Sequence, residues 1–234
     1  MATASDKAYG LLKQRVVAGS YPPGAQLKEE HIARELELSR TPVRAALKRL
    51  IDDGLATLEP RRGVRVAEWT DADIIETYRL RSLLEAHAAQ RAAERRDPHA
   101  VAELQRLNAE MAATIAKGGG NMLLKLQAIN SRFHRTILDA SGSPRLKVLM
   151  ATIIDMPIVV RSFFVSTLAD IQQSLQHHCD ITDAIASGDG ELAAQAMRLH
   201  LRIAGQRFFR RRAEFAKSGK AVAKPQARPA ASTS

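Results

Sequence analysis

Residues 27–66 read LKEEHIARELELSRTPVRAALKRLIDDGLATLEPRRGVRV, and their pattern predicts how the N-terminal part of the chain folds. Acidic residues followed by an apolar face predict a first helix, and the turn SRTP leads into a second one. We expect Thr41 to cap the second helix, because Pro42 would then take the first helical position, where its missing N–H costs nothing. Gly54 is typical of the left-handed residue that follows a helix. The spacing of the second helix predicts its buried stripe: Val43, Leu47, Leu50 and Ile51.

A small β-hairpin is predicted directly after the second helix. Residues 55–59 and 64–66 have the character of two short strands, and the tip between them reads PRRG. Two helices joined by a tight turn and followed by a small hairpin are typical of a winged helix-turn-helix. That fold holds its second helix in the major groove of DNA, so double-stranded DNA is the predicted partner.

Basic residues occupy the positions from which such a unit would touch DNA. A recognition helix presents its N-terminal residues to base edges, and here these are Arg40, Thr41 and Arg44. The fork of arginine suits the O6 and N7 of guanine. Lys48 shares the exposed face of Arg44. A single arginine is usually a solvated surface residue, but four of them at one helix entry and one wing tip favour a DNA interface. The wing-tip candidates are Arg61, Arg62 and Gly63.

Residues 7–68 resemble the DNA-binding domain of the GntR family of transcriptional regulators. The most specific parts of the resemblance are SRTPVRAALKRL and the RRG that follows it. The resemblance implies contacts with DNA from Arg40, Thr41, Arg44, Arg62 and Gly63. It also suggests Glu30 and Arg34, in the first helix of the motif, as lower-ranked candidates for contact with DNA.

Length and composition suit two domains and a short tail. The chain has 234 residues, and 45% of them are hydrophobic but only 4% aromatic, which favours aliphatic helix packing over a β-sandwich. No apolar run is long enough for a transmembrane helix, and no signal peptide is recognised at the N-terminus, so we expect no membrane association. A single cysteine, Cys179, fits a reducing compartment, and we expect a cytoplasmic location.

The basic charge of the chain is concentrated at its C-terminal end. More than half of the net charge of +10 comes from residues 210–234. Residues 216–234 are rich in Ala, Lys, Pro and Ser, and we expect them to be disordered. They could add non-specific attraction to phosphates, or serve only as a solubilising end. The predicted domains are 1–69 for the winged helix-turn-helix and 70–215 for a second domain, before the tail at 216–234.

Residues 70–215 carry helix signals throughout, which predicts an all-α bundle and a chain that is mostly α. Thr70 and Asp73 have the spacing of a capping box. Glycines and prolines separate the predicted helices, which span 71–95, 98–117, 121–141, 144–165, 168–187 and 190–214.

Three histidines lie on the apolar stripes of three different predicted helices: His134, His178 and His200. Such a histidine is usually an ordinary core residue, but three of them could converge. Neutral imidazole is a common nitrogen ligand of Zn, Ni, Cu and Fe. Asn130 precedes His134 by one helical turn and shares its face. His177 and Cys179 flank His178 and should point elsewhere, since adjacent helical positions diverge by about 100°.

The second domain resembles the FCD effector domain, and its six helices suggest the VanR-like subgroup. The resemblance is carried by YRLRSLLEAHAA, NSRFHRTILDASGSPRL and HCDITDAIASGDGELAAQAMRLHL. It implies a divalent metal, with Zn or Ni expected, held at the floor of a ligand pocket by an Asp and three His. The histidines correspond to His134, His178 and His200. Asn130 replaces the Asp and brings no negative charge. Alternatively, these four side chains bind the effector directly by hydrogen bonds.

Three further residues are predicted to bind an effector. Tyr78 and Arg81 share a helix face with Glu85. The resemblance implies that Arg81 pairs with a carboxylate of the effector, for which a guanidinium is well suited. Alternatively, Arg81 forms an ion pair with Glu85. Arg161 is a second cationic candidate.

The sequence and the resemblance thus predict a regulator, expected to be a repressor, that binds a near-palindromic operator as a homodimer and is modulated by a small carboxylate-type metabolite through the metal or directly. One alternative is an architectural DNA-binding protein that uses the basic tail. Another is a metal-dependent enzyme in the helical domain. The enzyme is disfavoured because no HExxH, serine elbow, P-loop or GxGxxG is present.

Overall fold

The computed structural model describes residues 3–17, 20–68, 70–151, 153 and 166–218. The chain divides into two compact units that part between Glu68 and Trp69, and the second unit extends to Glu214. Each unit has its own apolar core. Within the described residues, no helix combines the length and the apolar character that a membrane span requires.

The N-terminal unit contains three helices and a two-stranded antiparallel hairpin. Its core gathers buried side chains from every element, among them Leu12, Ile32, Leu50, Leu55 and Val66. Ala56 pairs with Val66 at the base of the hairpin, and Glu59 pairs with Gly63 at the tip. The winged helix-turn-helix prediction is confirmed. The elements are α1 Ala4–Val17, α2 Glu29–Glu35, α3 Arg40–Asp52, β1 Ala56–Glu59 and β2 Gly63–Val66.

The predicted cap of α3 is wrong by two residues. Ser39 is the N-cap, with extended backbone angles, and the helix begins at Arg40. Pro42 is therefore the third helical residue. The first four N–H groups of any helix lack an intrahelical acceptor, so a proline at the third position loses no hydrogen bond either. The other end is as predicted, because Gly54 has a φ of 69° and follows the C-cap Asp53.

The tip of the wing has a tightly defined backbone. Arg61 and Gly63 both have left-handed angles, with φ of 64° and 76°. The side-chain amide of Gln26 donates to the carbonyl oxygen of Arg62 over 2.7 Å. This bond ties the tip to the segment that precedes α2, so the wing is held as part of the domain.

The second unit is helical in all its described elements, as predicted. The helices are α4 Asp71–Arg95, α5 Pro98–Lys117, α6 Met122–Ala140, α7 Pro144–Ala151, α8 Leu168–Ser187 and α9 Gly190–Ser218. The helix predicted over 144–165 is described only to Ala151, and residues 154–165 lie outside the described residues. Helix α9 continues to Ser218, so residues 216–218 of the predicted disordered tail are helical, and 219–234 lie outside the described residues.

Side-chain caps fix where the helices of this unit begin. Thr70 accepts from the backbone N–H of Asp73, whose carboxylate accepts in return from the N–H of Thr70, which confirms the predicted capping box. Thr167 and Asp170 form the same arrangement at the start of α8. Phe133 on α6 is fully buried in the centre of the core. The capping box fixes the start of α8 and the core packs α6, and these two helices carry two of the three candidate histidines.

Replacing Leu50 by alanine tests the core of the N-terminal unit. Leu50 is fully buried, so its truncation leaves a cavity and should lower the free energy of unfolding by about 2–5 kcal/mol. Leu58 on the wing is 67% exposed, and Leu58→Ala should change the stability by less than about 0.5 kcal/mol. Denaturant unfolding of both variants measures the difference. Equal losses would contradict the assigned core.

Candidate nucleic-acid interface and metal centre

The predicted DNA-binding residues of α3 are exposed along one side of the helix. Arg40, Thr41, Arg44 and Lys48 all face solvent, and the side chain of Arg44 is 74% exposed. The opposite face of α3 is buried, since Val43 and Leu47 pack in the core. The helix is therefore held by its apolar side, and its basic side is free to face a partner.

Arg40 and Arg44 on α3 are each paired with a glutamate from the first turn of α2. Glu29 accepts from Nε and Nη2 of Arg44 at 3.0 and 2.8 Å, and these bonds raise the pKa of Arg44. Glu30 lies 2.5 Å from Nη2 of Arg40. The sequence singled out Glu30 only as a possible DNA contact and missed both pairings. The α2–α3 packing creates them, and only the acidic first turn of α2 hints at them.

The remaining basic candidates have weaker partners. Lys48 lies 3.6 Å from Asp52 on the same helix, and Arg62 lies 3.7 Å from Glu59 on the wing. Arg61 and Gly63 are exposed at the wing tip. The contacts of these residues with DNA remain a prediction.

The three predicted histidines lie together inside the helical unit. His134 on α6, His178 on α8 and His200 on α9 each offer one ring nitrogen, and these three atoms lie within 4.8 Å of one another. All three side chains are buried. The ring of Phe133 stacks on that of His178, with centroids 3.9 Å apart and planes 3° apart, which fixes the orientation of this imidazole.

Three nitrogens of this cluster are buried without a hydrogen-bond partner among the described residues: Nε2 of His134, Nε2 of His178 and Nδ1 of His200. An unsatisfied buried polar atom is costly, and native proteins rarely leave several together. Burial lowers the pKa of His178 and of His200 well below the usual range, so both rings are neutral and carry a lone pair. This donor set fits a divalent cation that prefers nitrogen ligands.

Asn130 is buried on α6, one helical turn before His134 and on the same face. Its amide oxygen is the fourth candidate donor. An amide adds no negative charge, and none of the four predicted side chains is a carboxylate.

A buried carboxylate joins the histidine cluster to a guanidinium. Oε2 of Glu85 lies 2.5 Å from Nδ1 of His134, and Nε of Arg81 donates to Oε1 of Glu85 over 2.7 Å. All three side chains are at most 3% exposed. Burial acts to raise the pKa of Glu85, but the charge of Arg81 and the hydrogen bonds with Arg81 and His134 outweigh it and lower the pKa to about 2.

The sequence named Glu85 only as a partner for Arg81 and missed its contact with His134. The two residues are 49 positions apart, so no local spacing could show that they meet. Of the two interpretations of Arg81, the ion pair with Glu85 is the one present in the structure. A role of Arg81 in binding an effector remains a prediction.

The other predicted effector residues are placed apart from this cluster or are not described. Tyr78 packs in a separate apolar group with Ile74 and Phe208, although the guanidinium of Arg81 lies 5.7 Å from the centre of its ring. Arg161 lies outside the described residues. The role predicted for each of them therefore stays a prediction.

The two neighbours of His178 do not join the three ligand atoms. His177 is buried, and its ring centroid lies 5.8 Å from that of His200, but its nitrogens are not part of the close group. Cys179 is half-buried, and burial together with Asp183 and Asp180 raises the pKa of its thiol. A raised pKa leaves little thiolate at neutral pH, which does not favour a reactive cysteine.

Comparison with known families and structures matches both units. Residues 4–66 match the model of the bacterial regulatory proteins of the gntR family, and residues 76–203 match the FCD domain. A relative from Paenarthrobacter nicotinovorans is 29% identical over 200 residues, which covers 85% of this chain and 86% of the relative. It is named a probable D-xylose utilization operon transcriptional repressor.

Solved structures of similar fold cover nearly the whole chain. Escherichia coli McbR/YncC superimposes with a TM-score of 0.72 at 24% identity and covers 92% of this chain and 100% of its own. A GntR transcriptional regulator from Rhodococcus sp. RHA1 superimposes with a TM-score of 0.69 at 27% identity and covers 88% of this chain and 97% of its own.

The buried histidines should make the stability of the chelator-treated protein depend on pH. His178 and His200 have folded-state pKa values well below 6.5, so below about pH 6.5 the unfolded chain binds protons there and the folded chain does not. The stability they contribute is therefore present above the unfolded pKa and is lost as the pH falls. The slope is at most about 1.4 kcal/mol per pH unit for each group.

Denaturant unfolding of the wild type and of His178→Gln between pH 5 and 7 checks this expectation. The variant should lose part of the slope. The matched control is His99→Gln, which removes an exposed histidine and should leave the slope unchanged. An identical slope in His178→Gln and the wild type would show that His178 is not buried in its neutral form.

Proposed function

Because this chain belongs to the GntR family of bacterial regulatory proteins and carries an FCD domain, we propose that it is a repressor that binds a near-palindromic operator as a homodimer and responds to a small carboxylate-type metabolite. The family and the named relatives are transcriptional regulators, not enzymes. The proposed response to a ligand is supported by one observation: three histidine nitrogens are buried inside the helical unit without a hydrogen-bond partner among the described residues. The VanR-like subgroup remains a prediction.

We propose that operator binding begins when the two paired arginines of α3 leave their glutamates and contact DNA. The ion pairs of Arg40 with Glu30 and of Arg44 with Glu29 are exposed, and such pairs contribute little in water. The arginines can therefore leave the glutamates for guanine edges at small cost. Lys48 and the wing arginines then supply contacts to phosphates.

The homodimer is proposed because one recognition helix covers only a half-site. Two copies related by a two-fold axis read an inverted repeat whose half-sites lie about one helical turn apart. The relative from Paenarthrobacter nicotinovorans is named a probable repressor, which supports the same direction of regulation here.

The metal centre is proposed to consist of His134, His178 and His200, with Asn130 as a weaker fourth donor. Three nitrogen donors favour Zn²⁺ or Ni²⁺, and a cation held this way keeps positions open for an added ligand. A carboxylate of the effector suits such a position. Arg81 is already bound to Glu85, so the metal is the better candidate for recognising that carboxylate. Direct hydrogen bonding of the effector to the histidines and Asn130 remains the alternative.

An architectural DNA-binding role differs from this proposal in one measurable property, which is sequence selectivity. An architectural protein would attract all DNA through its phosphates, with a strong dependence on salt. The arginine pairs at the entry of α3 favour a reader of bases, because they are built on a rigid helix and not on the basic C-terminal residues.

Arg44→Ala tests the reading of bases. Genomic fragments selected by the purified protein at about 0.15 M salt should share a short inverted repeat. On such a fragment the variant should bind roughly 5- to 150-fold more weakly, while binding to unrelated DNA changes little. Arg132→Ala removes an exposed arginine from the helical unit and serves as the control. A uniform loss on every DNA would favour the architectural role.

Metal binding is tested by thermal and denaturant unfolding before and after removal of metal. Chelator-treated protein should take up one Ni²⁺ or Zn²⁺ per chain, and a free metal concentration a hundredfold above Kd should add about 2.7 kcal/mol of stability. His200→Ala should lose this increment, whereas His99→Ala should keep it. Comparing each variant with and without metal cancels the cost of the substitution itself. No increment in the wild type would remove the metal from the proposal and leave the direct hydrogen-bonding alternative.

A further inference from the structure

We propose that Glu85 is a positioning residue of the metal centre, which fixes the ring and the tautomer of His134, and that Arg81 in turn fixes Glu85. This inference rests on the proposed metal site. None of the predicted ligands is a carboxylate, and Glu85 lies one hydrogen bond outside them. Arg81 and Glu85 are thereby assigned to the support of the site rather than to contact with an effector.

The contact with Glu85 selects which nitrogen His134 can offer. A neutral imidazole carries a proton on one nitrogen and a lone pair on the other. Oε2 of Glu85 lies 2.5 Å from Nδ1, so a carboxylate at this position accepts a hydrogen bond from Nδ1–H. The lone pair then resides on Nε2, the nitrogen of His134 that is buried without a partner. Histidines that bind metals usually donate their other N–H in this way.

Arg81 fixes the carboxylate itself. Its Nε donates to Oε1 of Glu85 over 2.7 Å, which leaves Oε2 to face His134. Arg81 and Glu85 are one helical turn apart on α4, so a single helix sets their mutual geometry. The helix then presents one oxygen to α6, where His134 stands. Through these two contacts, α4 fixes the orientation of His134, the predicted ligand on α6.

A purely structural role of the buried pair makes a different prediction. Buried ion pairs can often be replaced by apolar residues of similar volume without loss of stability. If Arg81 and Glu85 served only to join helices, an apolar replacement of both would leave the affinity for metal unchanged. If Glu85 orients His134, the same replacement keeps the fold but weakens the binding of metal.

The experiment compares the affinity of the full chain for Ni²⁺ in competition with a chromophoric chelator. Glu85→Gln should bind about 10- to 100-fold more weakly than the wild type. Arg81 would hold the amide oxygen of the glutamine, and its NH₂ would then face Nδ1 and force the proton of His134 onto Nε2. The double variant Arg81→Met with Glu85→Gln frees the amide to turn its oxygen toward Nδ1, and it should recover part of the affinity.

Should Glu85→Gln fail to fold, the double variant Arg81→Met with Glu85→Leu tests the inference in its place. It removes the acceptor without leaving a buried charge, and it should show the same 10- to 100-fold loss. Glu103→Gln is the control, because Glu103 is a partly exposed carboxylate that pairs with Arg106. Nitrogen NMR of the histidine rings reads the tautomer without metal, and the proton of His134 should lie on Nδ1 in the wild type and leave it in Glu85→Gln.

The outcomes separate this inference from the proposed metal site. Should the wild type bind Ni²⁺ and His200→Ala lose it, while the Glu85 variants stay within twofold of the wild type, the metal site stands and the role of Glu85 is wrong. Should the wild type bind neither Ni²⁺ nor Zn²⁺, both are wrong. A proton on Nε2 of His134 in the wild type would also overturn the inference, whatever the affinity.

Discussion

A carboxylate buried in the core of the helical unit must be satisfied on both of its oxygens. Glu85 is almost completely shielded from water, and a lone ion there would be very costly. Arg81 satisfies one oxygen and His134 the other. The consequence is that α4 and α6 cannot rotate against each other without breaking a buried contact. The rings of the other two candidate histidines lie beside that of His134, which this contact holds.

The two units use charge in opposite ways. In the N-terminal unit, the arginines that are predicted to read DNA lie in water, where their pairing with Glu29 and Glu30 is easily exchanged. In the helical unit, the pair of Arg81 and Glu85 is dry and cannot be exchanged without leaving a charge uncompensated. Exchangeable pairs suit a surface that must accept a new partner. A pair that cannot exchange suits the support of a site whose geometry must persist.

The sequence predicted most of what depends on neighbours along the chain. Helix ends at Gly54 and Thr70 follow from local geometry, so they could be predicted. The stripe of His134 could be read from its periodicity, because a helix face is a local property. The cap of α3 was misplaced because proline is tolerated equally at the first and third helical positions.

What could not be predicted is the set of contacts between elements that are distant in sequence. The contact of Glu85 with His134 depends on how α4 packs against α6, and periodicity fixes the face of a helix but not its height against a neighbour. The pairing of Glu29 with Arg44 depends in the same way on how α2 meets α3. Spacing along one helix did suggest the Arg81–Glu85 pair, since both residues are on α4, but it could not choose between that pair and an effector contact.

Asn130 gives the proposed site a property that the resemblance alone does not imply. Three neutral imidazoles and an amide leave the charge of a divalent cation uncompensated within the ligand set, so an anionic effector that completes the coordination gains more there than at a site with its own carboxylate ligand. Linkage requires the same coupling in reverse, because an effector that binds better with the metal present also makes the metal bind better. In this arrangement the cation and the carboxylate are recognised together, and the support of His134 by Glu85 governs both affinities at once.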